Sequence, residues 1–192
     1  NDIAEHLEEA GYFYSRKGRW SIPEKKLEAM GFWKDLTLGK GLYVGQVKRL
    51  YEAVPKRGAG AVVKHGATKL LDAAGSDELL TYNKLYKEFG LIADINTDPM
   101  DIVRLSEDEK IYVRAIERRG ESIYQEPRIK ISTIHAMKGG EDTNVAVYLG
   151  STKACVEGKH PEDEDRIFYV AITRAKENLY LIESDKSYRY KI

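Results

Sequence analysis

Apolar residues recur every three or four positions through the first two thirds of the chain, and this spacing predicts amphipathic helices. The first helix, over 2–10, ends at Gly11, because glycine is typical of helix C-termini; residues 12–14 follow as a short strand. Pro23 and the Ser106-x-x-Glu109 pattern are helix start signals. The spacing predicts further helices over 23–36, 44–54, 68–74, 79–89 and 107–119.

After Arg128 the pattern changes to short apolar runs. It predicts strands over 129–134, 145–149 and 179–182, and a helix over 163–177. Continuous apolar strands that alternate with a helix indicate a parallel sheet covered on both faces. We therefore predict an α/β domain formed by residues 1–20 and 121–192, into which an all-α subdomain, residues 21–120, is inserted.

Composition narrows the class of protein. The 192 residues include 31 Lys+Arg and 31 Asp+Glu, so a strongly basic coat over the whole chain is excluded. Cys155 is the only cysteine, which excludes an internal disulfide and favours a reducing compartment. No apolar stretch approaches the roughly 20 residues that span a bilayer. The chain opens at Asn1, inside a predicted helix, so we expect a cytoplasmic piece of a longer protein with no membrane partner.

Two segments carry candidate chemistry. Residues 131–141 run from a strand end into a polar loop, which is where open α/β sheets bind ligands; a sharp turn at Gly139 and Gly140 is the alternative explanation. In residues 163–175, Arg166 and Arg174 share a helix face with Thr173. Guanidinium groups there suit a phosphate or a carboxylate, although a single solvated arginine is a common feature of helix surfaces.

Metal binding is not expected. The acidic residues 162–165 follow Pro161 and are typical of a helix N-terminus, where the helix dipole favours negative charge. His135, His160 and Cys155 do not have the spacing of metal ligands.

Together the two segments read Thr-Ile-His-x-x-Lys-Gly-x-Glu (133–141), an apolar strand, and Arg-x-x-Tyr-Val-Ala-x-Thr-Arg-Ala (166–175). This order resembles motifs V and VI of the UvrD/Rep/PcrA-like superfamily 1 DNA helicases. The resemblance covers 129–183, and residues 3–14 more weakly resemble the start of that family's second RecA-like motor domain. The family also inserts a helical subdomain at this place. The resemblance implies a RecA-like parallel sheet, similar to P-loop NTPases but without the P-loop, and an inserted all-α subdomain.

The resemblance also implies roles for individual residues. Arg174 matches the arginine finger that reaches the ATP γ-phosphate, and Glu141 matches the glutamate that contacts the nucleotide ribose. Lys138 and Gly139 complete the expected nucleotide-binding residues. Thr133 and His135 match positions near the single-stranded DNA track. Gly140 replaces the usual leucine, which predicts a looser turn.

No phosphate-loop sequence occurs in the chain, and this limits the expected activity. ATP and Mg²⁺ would be bound mainly by an N-terminal RecA-like domain of the same protein, and this chain alone would be inactive. The expectation is a helicase that moves 3′ to 5′ on single-stranded DNA, with repair or replication proteins as further partners. The alternative is a catalytically inactive helicase-like module that binds DNA or a repair partner.

Charge is unevenly distributed along the predicted insert. Residues 40–72 contain seven Lys/Arg and two acids, whereas residues 98–109 contain five acids and one base. A basic stretch of this kind suits the phosphates of single-stranded or duplex DNA, and the loop with Lys56 and Arg57 is the predicted contact. Solvated helix faces are the alternative explanation.

Overall fold

The computed structural model describes residues 2–156, 162–185 and 187–190. The chain divides into two compact units, residues 1–131 and 132–192, which are described separately. The first unit is mainly helical, and both units contain short strands, so the protein is a mixed α/β structure with small sheets. In the described part of the chain, no helix has both the length and the apolar character needed to cross a membrane.

Helices of the first unit largely follow the predicted positions. They are α1 (Asp2–Glu9), α2 (Glu24–Thr37), α3 (Val44–Ala53), α4 (Ala67–Leu70), α5 (Tyr82–Glu88), α6 (Pro99–Ile102) and α7 (Glu107–Arg118). A 3₁₀ turn, Leu71–Ala73, continues α4. The helix predicted from residue 79 begins later, because Leu79 and Leu80 pair with another strand instead.

Strands of the first unit form two small sheets. They are β1 (Tyr14–Arg16), β2 (Arg19–Trp20), β3 (Leu42–Tyr43), β4 (Leu79–Leu80) and β5 (Ile129–Ile131). The strand β1 lies between β2, to which it is antiparallel, and β5, to which it is parallel. The antiparallel pair β3–β4 is separate. The strand predicted at 12–14 therefore lies two residues further along the chain.

The capping box predicted at the start of α7 is confirmed. The Glu109 backbone N–H donates to Ser106 Oγ (3.2 Å), and the Ser106 N–H donates to Glu109 Oε2 (2.8 Å). Lys26 Nζ donates to Glu109 Oε1 at 2.9 Å, which ties α7 to α2. Partial burial raises the pKa of Glu109, but the bonds from Ser106 and Lys26 outweigh it and hold the pKa below its usual value.

The other end of α7 packs on the turn between α1 and β1. Gly11 has a φ of +71°, and a Cβ at this position would lie 2.8 Å from the Ala115 Cβ. The Arg119 guanidinium lies 3.6 Å from the Tyr12 ring centroid. Tyr112 Oη donates to the Tyr12 carbonyl at 2.6 Å, and burial raises the pKa of Tyr112 to about 12. Glycine is needed at position 11 both for the left-handed backbone and for this close approach.

A continuous core holds the first unit together. Trp33 is completely buried, and its indole N–H donates to the Thr97 carbonyl at 2.8 Å. Tyr51 is also completely buried, and its hydroxyl donates to the Phe89 carbonyl at 2.9 Å. Apolar side chains from strands, helices and loops complete the core, among them Phe13, Ile22, Leu27, Leu36, Leu50, Val63, Leu71, Leu85, Ile102, Val113 and Ile116.

The second unit contains a parallel strand pair. Its elements are a 3₁₀ turn (His135–Met137), β6 (Asp142–Tyr148), α8 (Lys153–Val156), α9 (Glu162–Ile172) and β7 (Ala175–Ile182). Val145 and Val147 of β6 pair with Leu179 and Leu181 of β7. Two buried residues of β6 and its exit, Val147 and Leu149, pack with the buried face of α9, Phe168 and Ala171.

The predicted boundary between the last helix and the last strand is wrong. The helix ends at Ile172 rather than at 177, and the strand begins at Ala175 rather than at 179. The Asp142 N–H donates to the Arg174 carbonyl at 3.0 Å, so the chain joins the sheet directly after the helix. Ala175 therefore belongs to β7 and not to the apolar face of the helix.

Burial of the second unit also differs from the expectation. Side chains of β7 are exposed within the described structure, including Tyr180 (56% exposed) and Ile182 (46%). A sheet covered on both faces, which the apolar run predicted, is thus not found at β7. The described strands form separate small sheets, and a RecA-like sheet that joins them stays a prediction.

Candidate functional site

The loop of residues 133–141 is a succession of tight turns. The Thr133 carbonyl accepts from the Ala136 N–H (3.0 Å) and the Met137 N–H (3.2 Å), which forms the 3₁₀ turn. The Gly140 N–H then donates to the Met137 carbonyl at 2.9 Å. Gly139 has a φ of +84°, whereas Gly140 is not in the left-handed region. The turn is therefore closed despite Gly140, and of the two glycines Gly139 provides the left-handed residue.

Three side chains predicted to bind ligand lie exposed on this loop. The Thr133 hydroxyl accepts from the Ala136 N–H at 3.3 Å, so it also supports the turn. His135 and Lys138 are exposed, and their side chains have no hydrogen-bond or ionic partner among the described residues. Their imidazole and ammonium groups are therefore available to a ligand.

Arg174 connects this loop to the C-terminus of α9. Its Nε donates to the Val170 carbonyl at 2.9 Å, which is one of the helix-end carbonyls that lack a helical partner. Its Nη1 donates to the Gly140 carbonyl at 3.2 Å, and its Nη2 donates to Thr173 Oγ1 at 3.1 Å. The guanidinium is thus held between the helix end and the loop.

The same geometry leaves part of the Arg174 guanidinium for a ligand. Arginine has five N–H donors, and the described contacts engage three of them. One N–H on each terminal nitrogen has no partner within the described residues. Guanidinium N–H donors of this kind bind the oxygens of a phosphate or a carboxylate.

Glu141 lies directly beside this arginine site. It follows Gly140, whose carbonyl accepts from Arg174, and it precedes β6. Its carboxylate is about half exposed and is 3.8 Å from Lys176 Nζ, a weak contact in solvent. The structure therefore brings the predicted nucleotide-binding residues Glu141 and Arg174 together at one end of the β6–β7 pair. Arg166, by contrast, pairs with Asp163 at 3.2 Å on the helix surface.

The predicted basic contact lies in the first unit, on the loop between α3 and α4. Arg57 Nη2 lies 2.9 Å from His65 Nε2; Arg57 is exposed and Lys56 is partly exposed. Three other cations of residues 40–72 are neutralised by acids, in the pairs Lys40–Asp35 (2.7 Å), Lys48–Asp72 (2.8 Å) and Arg49–Glu28 (2.9 Å). Within the described residues, Lys56, Arg57, Lys64 and Lys69 have no acidic partner. The basic surface is therefore smaller than the sequence suggested.

A further arginine, which the sequence analysis did not single out, reaches this loop. Arg104 Nη2 donates to the Arg57 carbonyl at 3.4 Å, across 47 positions of sequence. Arg104 lies in the stretch 98–109, where acids outnumber bases, so charge counting could not detect it.

A comparison with known families covers part of the helical segment and the whole loop. The chain matches the family model described as UvrD-like helicase C-terminal domain over residues 68–186. The matched region contains the loop 133–141 and Arg174, and it extends into the helical part of the first unit. The class of protein is thus a helicase C-terminal region. The match covers well over half of the chain, and the chain belongs to the UvrD-like helicase C-terminal domain family. Neither curated proteins nor solved structures gave a match.

Proposed function

We propose that this chain is the part of an ATP-dependent DNA helicase that supplies the arginine finger and part of the single-stranded DNA track. Residues 1–20 and 121–192 would belong to the second RecA-like motor domain, and residues 21–120 would be the inserted subdomain. Family membership supports the helicase class. The observation that carries the finer proposal is the Arg174 guanidinium, which is held by three hydrogen bonds and retains two N–H donors.

The chemistry of this arginine suits phosphoryl transfer. Negative charge develops on the γ-phosphate oxygens in the transition state, and a fixed guanidinium stabilises it. Because Val170 and Gly140 carbonyls already hold Arg174 in place, little reorganisation is needed when the nucleotide arrives. Glu141 would accept hydrogen bonds from the ribose hydroxyls, and Lys138 and Gly139 would lie on the phosphate side.

The residues present fit only part of a nucleotide site. They can contact a γ-phosphate and a ribose, but the sequence contains no phosphate loop. Within the described residues, no group of three or more His, Cys, Asp or Glu side chains could hold a metal ion. The phosphate loop and the ligands of Mg²⁺ would therefore come from the N-terminal RecA-like domain, and this chain alone would not hydrolyse ATP.

Coupling between nucleotide and DNA follows from the bond between Arg174 and the loop. Because Arg174 donates to the Gly140 carbonyl, a γ-phosphate bound to the guanidinium would be linked through this bond to the loop that carries Thr133 and His135, without a large movement of the arginine. Those two residues would contact single-stranded DNA, with movement 3′ to 5′ by resemblance to the family. In the inserted subdomain, Lys56 and Arg57 would contact backbone phosphates.

Replacement of Arg174 in the protein that contains both motor domains tests the proposal. We expect Arg174→Ala to lower kcat for DNA-stimulated ATP hydrolysis by about 10³-fold or more, with DNA affinity changed much less. Arg174→Lys, which keeps the charge but loses the planar fork, should recover little of it. Arg166→Ala, which removes a surface arginine of the preceding helix α9, is the matched control and should keep normal turnover.

Two results would contradict the proposal. Normal turnover of Arg174→Ala would remove the finger assignment and favour the nucleic-acid-binding module instead. ATP hydrolysis by the isolated chain that survives Arg174→Ala would contradict the half-site arrangement.

A further inference from the structure

Arg104 has an unusual backbone conformation directly after α6. Its φ is +50°, a region that side chains with a Cβ occupy at a cost. The Arg104 N–H donates to the Asp101 carbonyl (3.1 Å), and the Leu105 N–H donates to the Met100 carbonyl (3.0 Å), as at a helix end closed by a left-handed residue. Glycine is the usual residue at such a position. An arginine at a position that favours glycine points to a functional role for its side chain.

Its neighbours fix the direction of the Arg104 side chain. Val103 and Leu105, on either side, are buried in the core, whereas Arg104 itself is exposed. Arg104 Nη2 donates to the Arg57 carbonyl at 3.4 Å and lies 3.2 Å from the position a Cβ of Gly60 would occupy. The guanidinium therefore lies against the backbone of residues 57–60, and a glycine at position 60 leaves room for it.

Positive charge accumulates at this loop without a neutralising acid. Arg57 is bonded to His65 at 2.9 Å, and Arg104 approaches the same loop from a distant segment. Among the residues that the structure describes, neither arginine is within ion-pair distance of a carboxylate. A local excess of positive charge of this kind attracts anions.

We infer that Arg104 is a further nucleic-acid-binding residue, which contacts a backbone phosphate next to the loop of Lys56 and Arg57. The inference rests on the proposed role of that loop. The carbonyl of Arg57 engages one of the five guanidinium N–H donors of Arg104, and the others are available to phosphate oxygens.

Substitution of Arg104 by glycine distinguishes an effect on DNA binding from an effect on protein stability. Arg104→Gly removes the guanidinium and also the strain of the left-handed residue, so the thermal midpoint should not fall. Lys17→Gly is the matched control, because Lys17 also has a positive φ (+51°) and also carries one positive charge. Binding of the full chain to a fluorescein-labelled DNA duplex with a single-stranded extension is measured by anisotropy over a series of NaCl concentrations.

We expect Arg104→Gly to raise Kd about threefold to tenfold at low salt and to reduce the salt slope by about 0.9, the value for one phosphate contact on duplex DNA. Lys17→Gly should leave both unchanged. Equal behaviour of the two variants would overturn the inference. A weaker affinity with an unchanged slope would also overturn it, because Arg104 would then only position the loop.

A third variant tests the proposed role of the loop separately from the inference about Arg104. Arg57→Glu should weaken binding strongly if the loop contacts phosphates. If Arg57→Glu weakens binding and Arg104→Gly does not, the inference about Arg104 alone is wrong. If Arg57→Glu binds like the unchanged protein, the proposed role of the loop is wrong, and the inference fails with it.

Discussion

The two units are stabilised by different kinds of contact. The first unit is built around a continuous core of large side chains, with Trp33 and Tyr51 completely buried. The second unit has a small buried cluster (Val147, Leu149, Phe168 and Ala171), yet it carries the loop 133–141 and Arg174. Where apolar packing is scarce, hydrogen bonds from one guanidinium hold the loop against the helix end. The candidate site therefore depends on a residue that is also proposed to do the chemistry.

The contrast extends to the strands. In the first unit, Leu42 and Leu80 of the β3–β4 pair are buried, whereas in the second unit the apolar side chains of β7 remain exposed. The apolar run at 179–182 thus predicts a strand, but it does not predict how fully that strand is enclosed.

The largest expected effect is the loss of core packing in the first unit. Trp33→Ala should lower the free energy of unfolding by about 3–5 kcal/mol, because it leaves a cavity. It also removes the donor to the Thr97 carbonyl. Urea unfolding followed by circular dichroism and by the fluorescence of the remaining Trp20 measures this loss. A decrease below about 1 kcal/mol would show that the core is loosely packed and would remove the contrast between the units.

A smaller effect is expected where α7 meets the turn after α1. Gly11→Ala and Gly18→Ala both place a side chain at a left-handed position (φ +71° and +73°), but only Gly11 lies against another helix. Gly18→Ala should cost about 1 kcal/mol, and Gly11→Ala should cost about 1–3 kcal/mol more because of the contact with Ala115. Thermal unfolding of the pair measures the difference. Equal losses would mean that α7 does not depend on this contact.

The smallest effect is expected on the exposed strand of the second unit. Leu181→Thr should change the free energy of unfolding by less than about 0.5 kcal/mol, because the side chain is 42% exposed. Its strand partner Val147 is 5% exposed, so Val147→Thr, the matched control, buries a hydroxyl and should cost about 1–3 kcal/mol. Both are measured by urea unfolding. A loss above about 2 kcal/mol for Leu181→Thr would show that β7 is enclosed after all.

The sequence predicted correctly those helix ends that are fixed by residues close to them in the chain. Ser106 and Glu109 specify the start of α7 through their own hydrogen bonds, and Gly11 specifies the turn after α1. The end of α9 was missed because the apolar spacing continues through Ile172 to Ala175, while the actual end is set by a bond from Asp142. A contact between distant segments leaves no local mark in the sequence.

The site was predictable to a similar degree. The resemblance to motifs V and VI indicated Arg174 and Glu141 as candidates, and the structure places both at one end of the β6–β7 pair; their roles stay predictions. The extent of the basic surface was overestimated, because Lys40 and Arg49 pair with Asp35 and Glu28, two acids that lie outside the counted stretch 40–72. Arg104 was missed for the same reason, since its approach to Arg57 depends on the packing of the whole first unit.

The parallel pairing of β1 with β5 has a consequence for biosynthesis. Its register joins Arg16 to Ile131, so the partner strand is made more than a hundred residues after β1. At a translation rate of roughly 5–20 residues per second, β1 waits on the order of 5 to 25 seconds for this partner. The helices α2 to α7 can form during that interval from contacts closer in sequence, and the strand pair closes after them. The three-stranded sheet can therefore be completed only late in synthesis, when β5 has been made. Until then, β2 is the strand of this sheet that can pair with β1.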